Sequence, residues 1–404
     1  MRSKEKIFIG VVLFYITCLF FPVITGLLHI PVWFPSILVS VILLAMYPKV
    51  VLRNKTFYWL MLYFLIVFLF IIFGRTVKLD IGRSSSYVQL IIEYAFLLPN
   101  VIICLILLYL DDYRIVTILM KSTVMIIIVS FVVLLVLIGN VDLRRLSTAY
   151  ENDIEVQTPS FINYTLLHVY ALLIPVVYYC CVKINGLYKY LCIVLLVLLS
   201  YVVYKSSITA SLIIGVVSLL LSISLSSKNI HRTVFFITVL FATFIVFYYS
   251  GVFVSILKGI LPYFEGSAVE EKIEDALFLL STGESGGSFA AREDLHQRSW
   301  DSFFSNILIG GGMAGGHSSL IDRLATMGLL GFIPYFMIYY SIIKQWVKHF
   351  DRFGKRYYYL GVLSVVVMLY SKGLFGQEGN LVFMVLMPLF IMFPDTFLQR
   401  MDSK

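Results

Sequence analysis

Residues 57–73 read FYWLMLYFLIVFLFIIF, a run without one charged side chain. As a helix it rises about 25 Å, close to the roughly 30 Å of hydrocarbon in a bilayer, and it has no polar face to turn towards water. Working outward, comparable blocks fall at 7–28, 31–47, 87–110, 115–138, 161–182, 188–204, 208–225, 234–256, 320–343, 357–371 and 381–394. This pattern predicts about twelve spans and an all-α, polytopic integral membrane protein, with residues 1–404 forming a single membrane domain. The composition agrees. Of 404 residues 60% are hydrophobic and 13% charged, and the mean hydropathy is +0.94, whereas soluble domains keep about a quarter of their residues charged. An ordinary soluble enzyme is excluded.

The net charge of +8 would suggest a nucleic-acid partner in a soluble chain. Here much of the basic excess falls in short segments between blocks, where it orients helices instead. With a cytoplasmic N-terminus, the inner segments hold Arg2, Lys4 and Lys6, then Lys49, Arg53 and Lys55, then Arg114, Lys183, Lys189, Lys228 and Arg232. The run from Lys344 to Arg356 and the tail with Arg400 and Lys404 complete the set, which places both termini in the cytoplasm and implies no nucleic acid. MRSKEK followed by an apolar run resembles a signal peptide, but no small-residue cleavage site follows, so the segment reads as a retained first helix. Cys18, Cys104, Cys180, Cys181 and Cys192 lie in or beside apolar blocks without a C-x-x-C pair, which argues against a disulfide framework and a zinc site.

Three outer loops are long or charged: Gly74 to Ser86, Asn140 to Ser160, and Ile256 to Ser319. In the third, Val269, Ile273, Leu277 and Leu280 recur at helical spacing, with Glu270, Glu271, Glu274 and Asp275 on the other face. That predicts an amphipathic helix on the membrane surface. The Gly/Ser stretch from Ser281 to Ser288 ends it, and a second short helix is expected over 289–304. The outer side also carries Arg75, Arg83, Arg144, Arg145, Arg292, Arg298 and Arg323 where lysine dominates inside. Guanidinium is the better fork for phosphate or carboxylate oxygens, so these are candidate substrate-binding residues. The structural alternative is contact with lipid headgroups or with Glu151, Asp153, Glu284 and Glu293.

Residues 289–332 read FAAREDLHQRSWDSFFSNILIGGGMAGGHSSLIDRLATMGLLGF. The segment resembles the O-antigen polymerase and ligase superfamily of bacterial membrane glycosyltransferases, whose members show an arginine, a later tryptophan, a G-x-G turn, a histidine usually followed by asparagine, and a helix with G-x-x-G. The matching positions are Arg292, Trp300, Gly310 with Gly312, His317, and Gly328 with Gly331; Ser318 stands where asparagine is usual. The resemblance implies a GT-C-like fold in the bacterial inner membrane and metal-independent polymerisation of a surface polysaccharide, O-antigen or capsule. A glycan would pass from polyprenyl diphosphate onto a lipid-linked repeat unit, with no cofactor. Membrane lipids are implied partners, and a chain-length regulator and a flippase candidate ones.

The same residues have a bottom-up reading. Ser319, with Asp322 three residues on, forms a capping-box-like start of the tenth span, which puts His317 at a helix N-terminus. There the macrodipole disfavours imidazolium, so a neutral ring can take a proton from an acceptor hydroxyl. His317 is therefore the candidate base, and a turn-capping role is the alternative. Arg292 and His296 are spaced i, i+4 and share a face, which makes Arg292 the first choice for the diphosphate. Arg298 points elsewhere and reads as a partner for Asp294. Asp111 and Asp112 read as helix-end caps, Glu93 and His168 as ionisable groups inside spans, and Lys121, Lys205 and Lys372 as residues near helix ends. Two rivals remain. A ligase of the same superfamily would pass the glycan to lipid A core or protein. A flippase would be expected to line a cavity with several intramembrane charges.

Overall fold

A backbone surrounded by hydrocarbon has no water to bond, so each apolar block satisfies its own N–H and C=O groups by becoming a helix. The computed structural model describes residues 2–21, 33–73, 78–79, 87–138, 164–206, 208–226, 235, 238–239, 242–243, 246–247, 249–264, 270–283, 287–316, 318–371 and 376–402. The elements before residue 230 are α1 (Ser3–Phe20), α2 (Trp33–Met46), α3 (Pro48–Leu52), α4 (Lys55–Ile72), β1 (Lys78–Leu79), α5 (Tyr87–Leu110), α6 (Tyr113–Ile138), α7 (Tyr164–Lys183), α8 (Leu187–Lys205) and α9 (Thr209–Leu225). After it come α10 (Val252–Ile260), α11 (Glu270–Thr282), α12 (Gly287–Ser305), β2 (Met313–Ala314), α13 (Ser319–Trp346), α14 (Arg352–Ser371), α15 (Gly376–Leu381) and α16 (Met387–Asp402). Among the described residues, five stretches are long and apolar enough to cross a membrane: Lys55–Ile72, Tyr113–Val133, Leu166–Lys183, Leu187–Lys205 and Ser319–His349. Shorter apolar helices accompany them. The described structure is nearly all helical, and its apolar helices mark a membrane-embedded protein.

The helix α7 is the axis of the bundle. Its sequence, YTLLHVYALLIPVVYYCCVK, is almost wholly apolar, and its described side chains are nearly all buried. It packs against α8, α9, α14 and α16, as expected of a helix with no polar face for water. The first half of the last helix, residues 387–394, is equally enclosed. A π turn over Val382–Leu386 joins α15 to α16, and the indole N–H of Trp346 donates to the Met384 carbonyl at 3.0 Å. The Cys180 thiol donates to the Phe390 carbonyl at 3.0 Å.

Polar side chains fix the helix ends. Asn54 caps α4, its Oδ1 accepting from Thr56 N at 2.9 Å, and its amide donates to Gln345 Oε1 at 3.1 Å. Asp112 accepts from Arg114 N at 2.7 Å, the capping role expected of it, and Asp111 lies 3.5 Å from His349 Nδ1. Lys183 pairs with Asp351 at 3.5 Å. These contacts gather segments 49–55, 111–114, 183–189 and 344–356 at one end of the bundle. They are among the segments that the charge pattern assigns to a single side.

Three expectations change. The ninth block is not one helix ending at 256: the chain turns at Gly251 (φ +71°), and α10 continues to a 3-10 turn at Leu261–Phe264. The tenth span is broken at Gly328 (φ +58°, ψ −163°). In an unbroken helix Arg323 and Tyr335 would lie about 18 Å apart, yet the Arg323 guanidinium is 4.7 Å from the Tyr335 ring centroid. The chain therefore bends sharply, and the piece from Leu329 to Trp346, about 27 Å long, suffices to span a bilayer. Thirdly, Asp275 is buried in α11 and paired with Lys272 at 3.8 Å, whereas Phe278 and Leu279 are exposed. Ile273 is buried and Glu274 exposed, as the spacing expects, so Asp275 alone among the described acidic residues of that face turns inward. Val269 and Glu271 lie outside the described side chains.

Candidate functional site

The helix α12 begins after a glycine-serine stretch and turns Leu295, Ser299, Ser302 and Phe303 inward. Two serines at i, i+3 are small enough to admit another backbone beside the helix, and the glycine loop occupies that space. Gly311 N donates to Ser302 O at 2.8 Å, Met313 N to Ser302 Oγ at 3.0 Å, and Gly315 N to Ser299 Oγ at 2.8 Å. A Cβ at Gly315 would run into the Leu295 carbonyl. The loop also stitches itself to the broken helix. Gly312 N donates to Ala325 O at 3.1 Å, while Leu329 N and Leu330 N donate to Ile307 O and Leu308 O at 2.9 Å each. These bonds satisfy groups freed by the break at Gly328, where a Cβ would meet the Leu308 carbonyl.

The start of α13 is one residue earlier in its capping than expected. Ser318, not Ser319, is the N-cap, its Oγ accepting from Ile321 N at 3.3 Å. Asp322 reaches back to accept from Ser318 N at 3.1 Å and accepts from Ser299 Oγ at 2.8 Å. Ser299 thus takes a hydrogen from Gly315 and gives one to Asp322. The chain on either side of residue 317 is tied to α12 through one buried serine and one buried carboxylate. His317 itself lies outside the described residues, as do Arg75, Arg83, Arg144, Arg145 and Lys372 and the side chain of Glu93. Between Arg75 and Arg83, β1 pairs in parallel with β2, Lys78 opposite Met313.

Three of the candidate arginines are described, and they differ. Arg298 donates to Asp294 at 2.6 Å, the i, i+4 pair expected from spacing. Arg292 is exposed on α12 and makes no ion pair or side-chain hydrogen bond among the described residues. One turn on, His296 lies edge-on to Tyr370 at 5.7 Å, near the end of α14, and within electrostatic reach of Asp322. Arg323 donates to the Tyr63 hydroxyl and lies over the Tyr335 ring. From there a polar chain runs inward: Tyr335 donates to Tyr339 at 3.2 Å, and Tyr339 to Asn380 Oδ1 at 2.6 Å. The structure therefore separates Arg323, bound among tyrosines of α4 and α13, from Arg292 on the open face of α12. Trp300 stacks on Phe304, 5.7 Å between ring centroids.

Sequence reasoning missed Ser299, Ser302, Tyr63, Tyr335, Tyr339 and Asn380. The serine pair left a signal, two small hydroxyls at i, i+3 on an otherwise charged helix. The tyrosines left none in a chain with 27 of them. Of the remaining candidates, His168 bonds a neighbouring helix, its Nδ1 2.5 Å from Ser211 Oγ on α9. Lys121 lies over the Tyr188 ring at 4.4 Å. No protein-family model matches the chain, and no curated protein matches it in sequence.

Proposed function

We propose that the protein is a polysaccharide polymerase of the bacterial envelope, transferring a growing glycan from polyprenyl diphosphate to the terminal sugar of a second lipid-linked repeat. The observation that carries this reading is the pairing of an exposed guanidinium with an anchored turn. Arg292 stands exposed on α12, two turns before Ser299, and Ser299 holds the glycine loop leading to His317. In this reading Arg292 grips the departing diphosphate, and His317, beside the capped start of α13, takes the proton from the acceptor hydroxyl. General-base help is worth on the order of 100-fold to 10,000-fold, and fixed charge on the leaving group is often the larger contribution. Arg75, Arg83, Arg144 and Arg145 are proposed to hold diphosphate or acidic sugar. The departure from the family motif is chemically mild, because Ser318 serves as an N-cap and serine and asparagine fill that role about equally well.

The test is polymerisation of purified lipid-linked repeats by the reconstituted protein, read as ladders of glycan. His317→Ala and His317→Gln should leave single repeats unlengthened, since glutamine keeps hydrogen bonding but cannot take the proton. A merely turn-capping histidine would cost about 1 kcal/mol of stability and leave the ladder intact. Arg292→Lys should be nearly as harmful as Arg292→Ala, because a point charge cannot reproduce a bidentate grip. Arg298→Ala should retain polymer, and loss there with retention in Arg292→Ala would reverse the assignment. Transfer to lipid A core without lengthening would instead indicate the ligase, and movement of intact repeats across the bilayer the flippase.

A further inference from the structure

The helix α10 has the pattern of a surface helix but none of its residues is buried. Phe253, Ile256, Leu257 and Ile260 recur at i, i+3, i+4 and i+7 and form one stripe, and Ser255, Lys258 and Gly259, with Val252 at their edge, form the opposite one. In a soluble protein an apolar stripe of this kind turns into the core, but Ile256 is 44% exposed. The apolar surface does not begin at α10. Phe235, Val239, Val246 and Tyr249, in the block just before it, are also exposed, in a chain whose long apolar helices place it in a membrane. Gly251, in the left-handed region, redirects the chain where that block ends. Tyr249 and Tyr263, 83% and 86% exposed, flank the helix, and tyrosine favours the depth where hydrocarbon meets headgroups.

We propose that α10 lies flat in the lipid interface, with Phe253, Ile256, Leu257 and Ile260 in the acyl layer and Ser255 and Lys258 towards headgroups and water. The bilayer is the occupant because the stripe follows directly on an apolar block whose described residues Phe235, Val239, Val246 and Tyr249 are also exposed. The one charge on the helix sits opposite the stripe, where its ammonium can meet lipid phosphates. The consequence is positional. The helix α10 packs on α11, and α11 on α12, so an interfacial α10 holds the arm that carries Arg292 at headgroup height. This inference stands whether or not the proposed polymerase activity does.

Single cysteines at residues 252–263, each carrying a nitroxide, test it in vesicles of phosphatidylethanolamine and phosphatidylglycerol. The five native cysteines are all buried, and the parent protein taken through the same labelling gives the background. None of the α10 positions is buried, so the variants should fold, which monodispersity in detergent checks. Collisions with oxygen, which concentrates in hydrocarbon, should be several-fold more frequent than with a water-soluble nickel chelate at 253, 256, 257 and 260. At 255, 258 and 259 the order should reverse, giving a helical period with the two colliders out of phase. Nickel reaching both stripes equally would overturn the proposal by placing α10 in water. Oxygen dominating at 255 and 258 as well would make it part of a span. Exclusion of both colliders from the Phe253 stripe would show that protein covers it.

Discussion

At the scale of single residues, the decisive interactions around the site are those between distant positions. Arg298 finds Asp294 one helical turn away, a pairing that spacing alone predicts. Asp322 finds Ser299 from 23 positions further along the chain, and no local rule announces it. Yet the second contact does more, because Ser299 and Asp322 together bond the backbone at Gly315 and Ser318. Removing either side chain leaves buried polar groups unmatched, at roughly 1–3 kcal/mol each. Ser299→Ala and Asp322→Ala should therefore each lower the thermal stability of the detergent-solubilised protein. Because they share one bond, the double variant should lose less than the sum, by about 0.5 kcal/mol or more. Strict additivity would mean that the two side chains act independently. The same clasp fixes the chain around His317, so in the proposed polymerase both variants should slow lengthening more than they weaken substrate binding.

At the scale of elements, hydrophobic blocks were legible because each sums the preference of some twenty residues, and one atypical side chain does not change the total. That is why α4, α6 and α8 fall within a few residues of their expected bounds. Breaks were not legible, because they depend on what the backbone meets. Gly328 reads as half of a common G-x-x-G pair, and only the loop at Ile307–Leu308, whose carbonyls accept from Leu329 N and Leu330 N, shows why the helix opens there. Gly251 is similar, a single residue inside an apolar run. The site was legible in part for the same reason: the glycines, Arg292 and Arg298 stand out by type, whereas Tyr63 and Ser299 matter through their partners. Gly328→Ala tests the break. A positive φ costs an L-residue about 1–2 kcal/mol, and displacing the Leu308 carbonyl adds about 1–3 kcal/mol. Gly10→Ala is the control, in mid-helix of α1 with no atom within 4 Å of its added Cβ, and should be neutral or slightly stabilising. Equal melting temperatures for the two variants would show that the loop yields and the break is soft.

At the scale of the whole molecule, the charge pattern and the packing point the same way by independent routes. Positive residues in short segments predict which ends of the helices share a side. The bonds from Asn54 to Gln345, from His349 to Asp111 and from Lys183 to Asp351 bring just such segments together at one end. At the other end, α12 and the glycine loop lie against the start of α13, with β1 beside β2. A transferase using an exported lipid diphosphate needs that second end outside the cytoplasm. Ser281, exposed near the end of α11, should accept an impermeant maleimide in intact spheroplasts when replaced by cysteine. Lys348→Cys, exposed at the basic end, should react only after the membrane is opened. The native cysteines are buried and contribute little signal. The reverse labelling pattern would turn the molecule over and place Arg292 in the cytoplasm. A diphosphate clamp there would face donors before export, so polymerisation outside the cytoplasm would be ruled out while the fold and the interfacial α10 would stand.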